Sequence, residues 1–88
     1  MYKYLVEFLG TIFFVYVILA TGNPLAIGAA LALAILLTAN VSGGMFNPAL
    51  TIALSSAGKI PTSEIVPFVV AQIFGGLVAL EIYKRYRL

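Results

Sequence analysis

Cysteine, histidine and tryptophan are absent from this 88-residue chain, and charged residues make up only 9% of it. Without cysteine there are no disulfides and no thiol chemistry. Without histidine or cysteine, metal centres and the common nucleophile–base pairs lack raw material, so no metal and no other cofactor is expected. The acidic residues Glu7, Glu64 and Glu81 fall at different depths of the apolar sequence and cannot form a catalytic carboxylate pair, so an enzyme is not expected. The net charge of +2 sits near the termini and in one loop, which leaves no basic face for nucleic acid.

What is present is apolar: 62% of the residues are hydrophobic. A water-soluble domain of this size hides only about 60% of the surface its unfolded chain exposes, too little to bury such a composition. The expected solvent is lipid, and the expectation is an all-α, multi-pass integral membrane protein. Residues 4–21 are long enough to cross a hydrocarbon core of roughly 30 Å, with Tyr2, Lys3 and Tyr4 as interfacial anchors. The turn Gly22-Asn23-Pro24 leads straight into more hydrophobic sequence, which argues against a cleaved signal peptide. Glu7 breaks the apolar pattern about one turn inside. A carboxylate there is costly in lipid and is expected to face the interior with a partner rather than to reach the headgroups.

Pro24 suits the first position of a second span over residues 24–41. Gly28, Ala29, Ala32 and Ala39 offer it a small-residue face for close helix packing. Thr38 is expected to bond back to its own helix. A third span covers residues 62–83, with Ser63 as N-cap, Gln72 needing partners in mid-helix, and Gly75, Gly76 and Ala79 as a second close-packing face. Glu81, Tyr83, Lys84, Arg85, Tyr86 and Arg87 form its exit anchor.

Between the second and third spans, Ser42-Gly43-Gly44-Met45-Phe46-Asn47-Pro48-Ala49-Leu50-Thr51 interrupts the hydrophobic sequence with a polar, glycine-bearing loop. Asn47 fits an N-cap and Pro48 the first helical position. The helix they open ends at Gly58-Lys59-Ile60-Pro61, so it covers about half a bilayer core at 1.5 Å per residue. Its apolar residues would have no dry place to go on a water-exposed surface. Residues 42–57 are therefore expected to form a re-entrant loop and half-helix, with its positive N-terminal end and N–H donors at the midplane.

These residues resemble a known family. The stretch from Ser42 to Thr51 resembles the SGxHxNPAxT signature of the major intrinsic proteins, the aquaporins and glycerol facilitators. Val6-Glu7-Phe8-Leu9-Gly10-Thr11 resembles their first-helix AEFxGT motif, and Pro67-Phe68-Val69-Val70-Ala71-Gln72-Ile73-Phe74-Gly75-Gly76 their third-helix PYxxAQxxGA motif. The resemblance implies one aquaporin-like repeat over residues 1–88: three transmembrane helices and one re-entrant half-helix. It implies Gly43, Gly44, Met45, Phe46, Asn47, Pro48 and Ala49 as the pore and solute-binding stretch. Ile27, Gly44 and Leu50 become constriction candidates, and Glu7 and Gln72 the supports of the loop. The family carries two inverted repeats where this sequence has one; its loop histidine is Met45 here, and its filter arginine and aromatic correspond to Leu50 and Ile27.

The expected function is passive conduction of water, with small neutral solutes such as glycerol as further candidates. One half-helix reaches only the midplane, so the expected partner is a second copy of the chain, inverted, with four such pairs assembling by family analogy. Lys3 and Lys59 on one side against Lys84, Arg85 and Arg87 on the other give a weak orientation bias, which suits insertion both ways round. Two other readings compete: a dual-topology proton-coupled exporter using Glu7, and half of a heteromeric channel.

Overall fold

The computed structural model describes residues 2–87, and among them every regular element is helical. Helix α1 spans Lys3–Thr21, α2 Pro24–Thr38, α3 Pro48–Ser56 and α4 Ile65–Arg85, with a short 3-10 turn at Thr62–Glu64 before α4. Two stretches, Lys3–Thr21 and Thr62–Arg85, are long and apolar enough to cross a membrane. The molecule measures 39 × 23 × 20 Å, so its long axis matches a bilayer with part of its headgroup layers.

Helices α1 and α4 run side by side in the same direction. Lys3 pairs with Glu64 at 2.6 Å at one end, and Tyr4 meets the Phe68 ring edge-on at 4.9 Å. Glu7 meets Gln72 a turn further along, and the Tyr16 and Tyr83 rings lie 6.4 Å apart near the other end. The α4 residues buried on this contact, Phe68, Gln72, Gly75 and Ala79, follow the three-and-four spacing of a single helical face. Gly75 sets the closeness of the contact. A Cβ built there would stand 2.8 Å from the Phe8 carbonyl oxygen and 2.9 Å from Thr11 Cβ, so only glycine fits. Gly76, from the same expected face, meets nothing within 4 Å.

Between α1 and α2 the chain turns on Gly22, at φ 54°, and restarts on Asn23, whose side-chain oxygen accepts from the Leu25 and Ala26 N–H groups. Helix α2 then runs back along α1. It buries Ala30, Ala34 and Thr38, each four residues apart. The expected small-residue face is on the other side: Gly28, Ala29 and Ala32 are exposed. Small size alone did not decide the contact, because α2 is apolar all round and several of its faces would fit.

The helix also ends at Thr38, short of the expected Val41. Backbone bonds from Ser42 to Thr38 at 2.8 Å and from Gly43 to Ala39 at 3.2 Å continue the coil only as turns. Gly43 and Gly44 then take φ of 93° and 63° and fold the chain back along the last turn of α2. A Cβ at Gly44 would meet Ile35 Cα at 3.2 Å and the Thr38 hydroxyl at 3.3 Å, which shows how closely the returning strand lies. Thr38 itself donates to the Ala34 carbonyl at 2.7 Å, as expected of a threonine in an apolar helix.

At the start of α4 the expected Ser63 cap does not form; Ser63 lies inside the 3-10 turn, and no side chain caps it. The ion pair from Glu64 to Lys3 fixes this end of α4 instead.

Candidate functional site

Two polar clusters converge on the returning loop. The first is a chain of hydrogen bonds through the interior. Gln72 donates from Nε2 to Glu7 Oε1 at 2.9 Å and to the Thr51 hydroxyl at 2.8 Å. Thr51 Oγ1 lies 3.0 Å from the Asn47 carbonyl, one turn back on its own helix. Glu7 Oε1 also accepts from the Phe46 N–H. One carboxylate oxygen therefore ties α1 to the loop and to α4, while Thr51 ties α3 to α4. Glu7 and Thr51 are fully buried, and Gln72 is 2% exposed. Such groups are stable in an apolar interior only when hydrogen-bonded to one another, and together they fix the loop at three points. Glu7 Oε2 is also buried but has no partner among the described residues.

The second cluster is the cap of α3. Asn47 sits in extended conformation, at φ −150° and ψ 119°, and its Oδ1 accepts from Ala49 N–H at 2.8 Å and Leu50 N–H at 3.4 Å. Pro48 has no N–H to satisfy, and Thr51 N–H returns to the Asn47 carbonyl at 2.9 Å. The open donors expected at this helix end are therefore closed by Asn47 itself. What the cap leaves over is the other half of the amide. Nδ2 has no hydrogen-bond partner among the described residues, and Asn47 is exposed. Likewise, no hydrogen bond among the described residues ends on the carbonyls of Gly43, Gly44, Met45 or Phe46. The loop thus holds one amide donor on an exposed side chain and four backbone carbonyls with no hydrogen-bond partner among the described residues.

Phe46 is the hinge of the arrangement. At φ 54° it is the sole non-glycine residue in left-handed conformation among those described, an unfavourable place for a bulky side chain. Two contacts hold it there: the Glu7 carboxylate on its N–H, and Gly10, on which its ring rests. A Cβ at Gly10 would stand 2.2 Å from the ring.

The structure brings Glu7, Gln72, Phe46 and Asn47 together as a unit. Met45 and Phe46 are each 4% exposed, so their side chains serve the interior rather than an open surface. Gly43, Asn47, Ala49 and Leu50 are exposed, and Pro48 is half-buried. Ile27 stands apart, half-buried and eight residues before Ile35, so about 12 Å along α2 from the Gly44 contact. Thr51 is the member of this buried cluster to which sequence reasoning assigned no role. A hydroxyl at the fourth residue after Asn47, inside an otherwise apolar helix, was the available signal for Thr51. An apolar groove of about 320 Å³ between α1 and α2, walled in part by Gly10, Phe13 and Ala34, adds no polar chemistry to the site.

Comparison with known proteins places the chain in a family. Residues 1–87 match the family model for major intrinsic proteins. The chain is 41% identical to glycerol uptake facilitator protein-like 6 of Lactiplantibacillus plantarum, over 98% of this chain and 44% of that protein. It is 43% identical to aquaporin-8 of Notomys alexis, over 68% of this chain and 23% of that one. With aquaporin Z of Photorhabdus laumondii it shares 36% over 69% of this chain and 26% of that protein. The chain thus spans less than half the length of these curated relatives. No solved structure matches it. Three motifs, an all-helical apolar fold and a family match over nearly every residue lead to one assignment: the chain is an integral membrane protein belonging to the major intrinsic protein family.

Proposed function

We propose that this chain supplies half of a passive channel for water and for small neutral solutes such as glycerol, with Asn47 as the donor at the pore centre. Support comes above all from the divided Asn47 amide, whose Oδ1 is spent on the Ala49 and Leu50 N–H groups while Nδ2 is left over on an exposed side chain. A solute oxygen can accept from Nδ2 while its own hydrogens turn to the free carbonyls of residues 43–46. The N-terminal end of α3 adds positive potential at the same point, so cations are repelled and a water chain is interrupted in its orientation.

Depth supports placing this donor at mid-membrane. Gly10 lies seven residues past Lys3, about 10 Å along α1; Asn47 lies one turn beyond Thr51, whose partner Gln72 is itself about 10 Å along α4. Asn47 is therefore about 10–16 Å from the Lys3–Glu64 end, against a half-core of roughly 15 Å. Both ends of the loop lead back to that one side, through α2 before it and through residues 57–61 after it. That is the path of a re-entrant half-helix between membrane spans, with residues 1–88 as one repeat.

Half a pore needs its complement. In this reading a second, inverted copy supplies it, bringing two Asn47 side chains together at the centre, and four such pairs assemble as a larger unit. The near balance of lysine and arginine at the two ends supports insertion both ways round. No catalytic role is proposed: Glu64 and Glu81 stand beside Lys3 and Lys84, and Glu7 is occupied by the loop.

The test is stopped-flow swelling of proteoliposomes that contain the chain and nothing else. Water entry should exceed that of empty vesicles, and Asn47→Asp, which keeps the capping oxygen but removes the Nδ2 donor, should slow it at least severalfold while the helix content stays the same. Wild-type rates equal to empty vesicles would overturn the proposal.

A further inference from the structure

Lysine and arginine are nearly balanced in number between the two ends, but they are paired and spaced differently in a way the channel does not explain. At the Lys3 end, Glu64 sits 2.6 Å from the ammonium and cancels it, leaving Lys59 as the remaining cation. At the other end, Lys84, Arg85 and Arg87 crowd into four residues, all exposed. Among the described residues their one acidic side-chain partner, Glu81, lies 3.5 Å from Lys84 with both side chains more than half exposed, a pair worth little against water.

Arg87 stands on a built platform, with Lys84 and Arg85 just before it in the chain. The Arg87 guanidinium lies 5.1 Å from the centre of the Tyr83 ring, and the Tyr83 ring meets that of Tyr16 at 6.4 Å. The Tyr16 hydroxyl donates to the Tyr86 carbonyl, tying the end of the chain to α1. With its face against an aromatic ring, a guanidinium keeps its N–H edge open to a planar or tetrahedral oxyanion. The platform closes a helix of membrane-crossing length, and tyrosines at such an end sit at headgroup level. An oxyanion that meets these side chains there is a lipid phosphate.

We propose that Lys84, Arg85 and Arg87 form a binding site for anionic phospholipid headgroups at this end of the molecule. The three side chains are all exposed at the end of α4, which suits a layer of headgroups rather than one enclosed soluble phosphate. The Lys3 end, with its cation neutralised, does not share this preference.

The experiment uses the purified chain in detergent micelles containing equal amounts of phosphatidylglycerol and phosphatidylcholine, with retained lipids counted by native mass spectrometry. Micelles have no sidedness, so a change of insertion direction cannot affect the result. The wild type should retain phosphatidylglycerol preferentially. The triple variant Lys84→Gln, Arg85→Gln, Arg87→Gln should lose that preference, by about fivefold per removed charge at low salt. Lys59→Gln should keep it. Raising salt on the wild type should weaken the preference, a readout that needs no variant to fold. Equal preference in the triple variant, no preference in the wild type, or displacement of the lipid by equimolar glycerol phosphate would each overturn the site.

Discussion

Glu7 shows how one buried oxygen organises a loop. Its Oε1 receives the Phe46 N–H and the Gln72 amide, and so holds in place a left-handed phenylalanine that the local sequence does not favour. Glu7→Gln keeps the shape but replaces one of the two carboxyl oxygens with an amide nitrogen that disturbs this shared acceptor, at a cost of about 1–2 kcal/mol. Thermal unfolding in detergent should show that loss, and swelling assays should show slower but persistent water flux. Complete loss of transport would favour a proton-coupled exporter, in which the carboxylate itself carries the proton. That Glu7 and Gln72 each need a partner was legible in the sequence, because an isolated polar group in an apolar helix is costly; their shared role at the loop came only from the family resemblance. Thr51 was not legible, because threonine satisfies itself within a helix so often that a tertiary bond leaves no distinct mark.

At the scale of elements, α2 and α3 begin alike and end up serving different purposes. Asn23 and Asn47 both lie in extended conformation before a proline, and both spend Oδ1 on the next two free N–H groups, at 2.9 and 3.1 Å and at 2.8 and 3.4 Å respectively. The cap is therefore local chemistry that any Asn-Pro step can make. Only the second cap is tethered to other helices, through Glu7, Gln72 and Thr51. The sequence made the Asn47 cap and both helix-opening prolines readable, and marked the second start by the short helix that follows it. The early end of α2 was harder to read, because it depends on how closely Gly44 approaches Ile35 and Thr38, a contact between segments rather than a property of either.

The meeting of the loop with α1 can be tested as a contact. Gly10→Ala should drive a methyl into the Phe46 ring, lowering stability by about 1–3 kcal/mol and displacing the loop. Adding Phe46→Ala should recover much of that loss, since the ring is gone. Additive effects in thermal unfolding of the single and double variants would deny the contact.

The whole molecule has too little charge to fix its own orientation strongly. Because it contains no cysteine, Lys59→Cys gives a single labelling site on an empty background. Comparable labelling by an impermeant maleimide from either side of intact and permeabilised vesicles is expected of insertion both ways round. Labelling from one side only would remove the inverted pair and leave the pore to be completed by a different chain. The apolar spans were legible at this scale from composition alone. The face that α2 presents was not, since a helix apolar on all sides gives lipid and protein equal claim to it.

The parallel course of α1 and α4 has one further consequence. Lys3 meets Glu64 at one end of the long axis, and Tyr16 meets Tyr83 and Tyr86 at the other, so the chain departs from the end opposite to where it starts. Two copies joined tail to head by a short linker would have the second begin where the first leaves off. It would have to cross the bilayer in the reverse sense. In the proposed reading, where α1, α2 and α4 all cross, simple duplication and inversion would be the same event, with no extra helix required to turn the second half over.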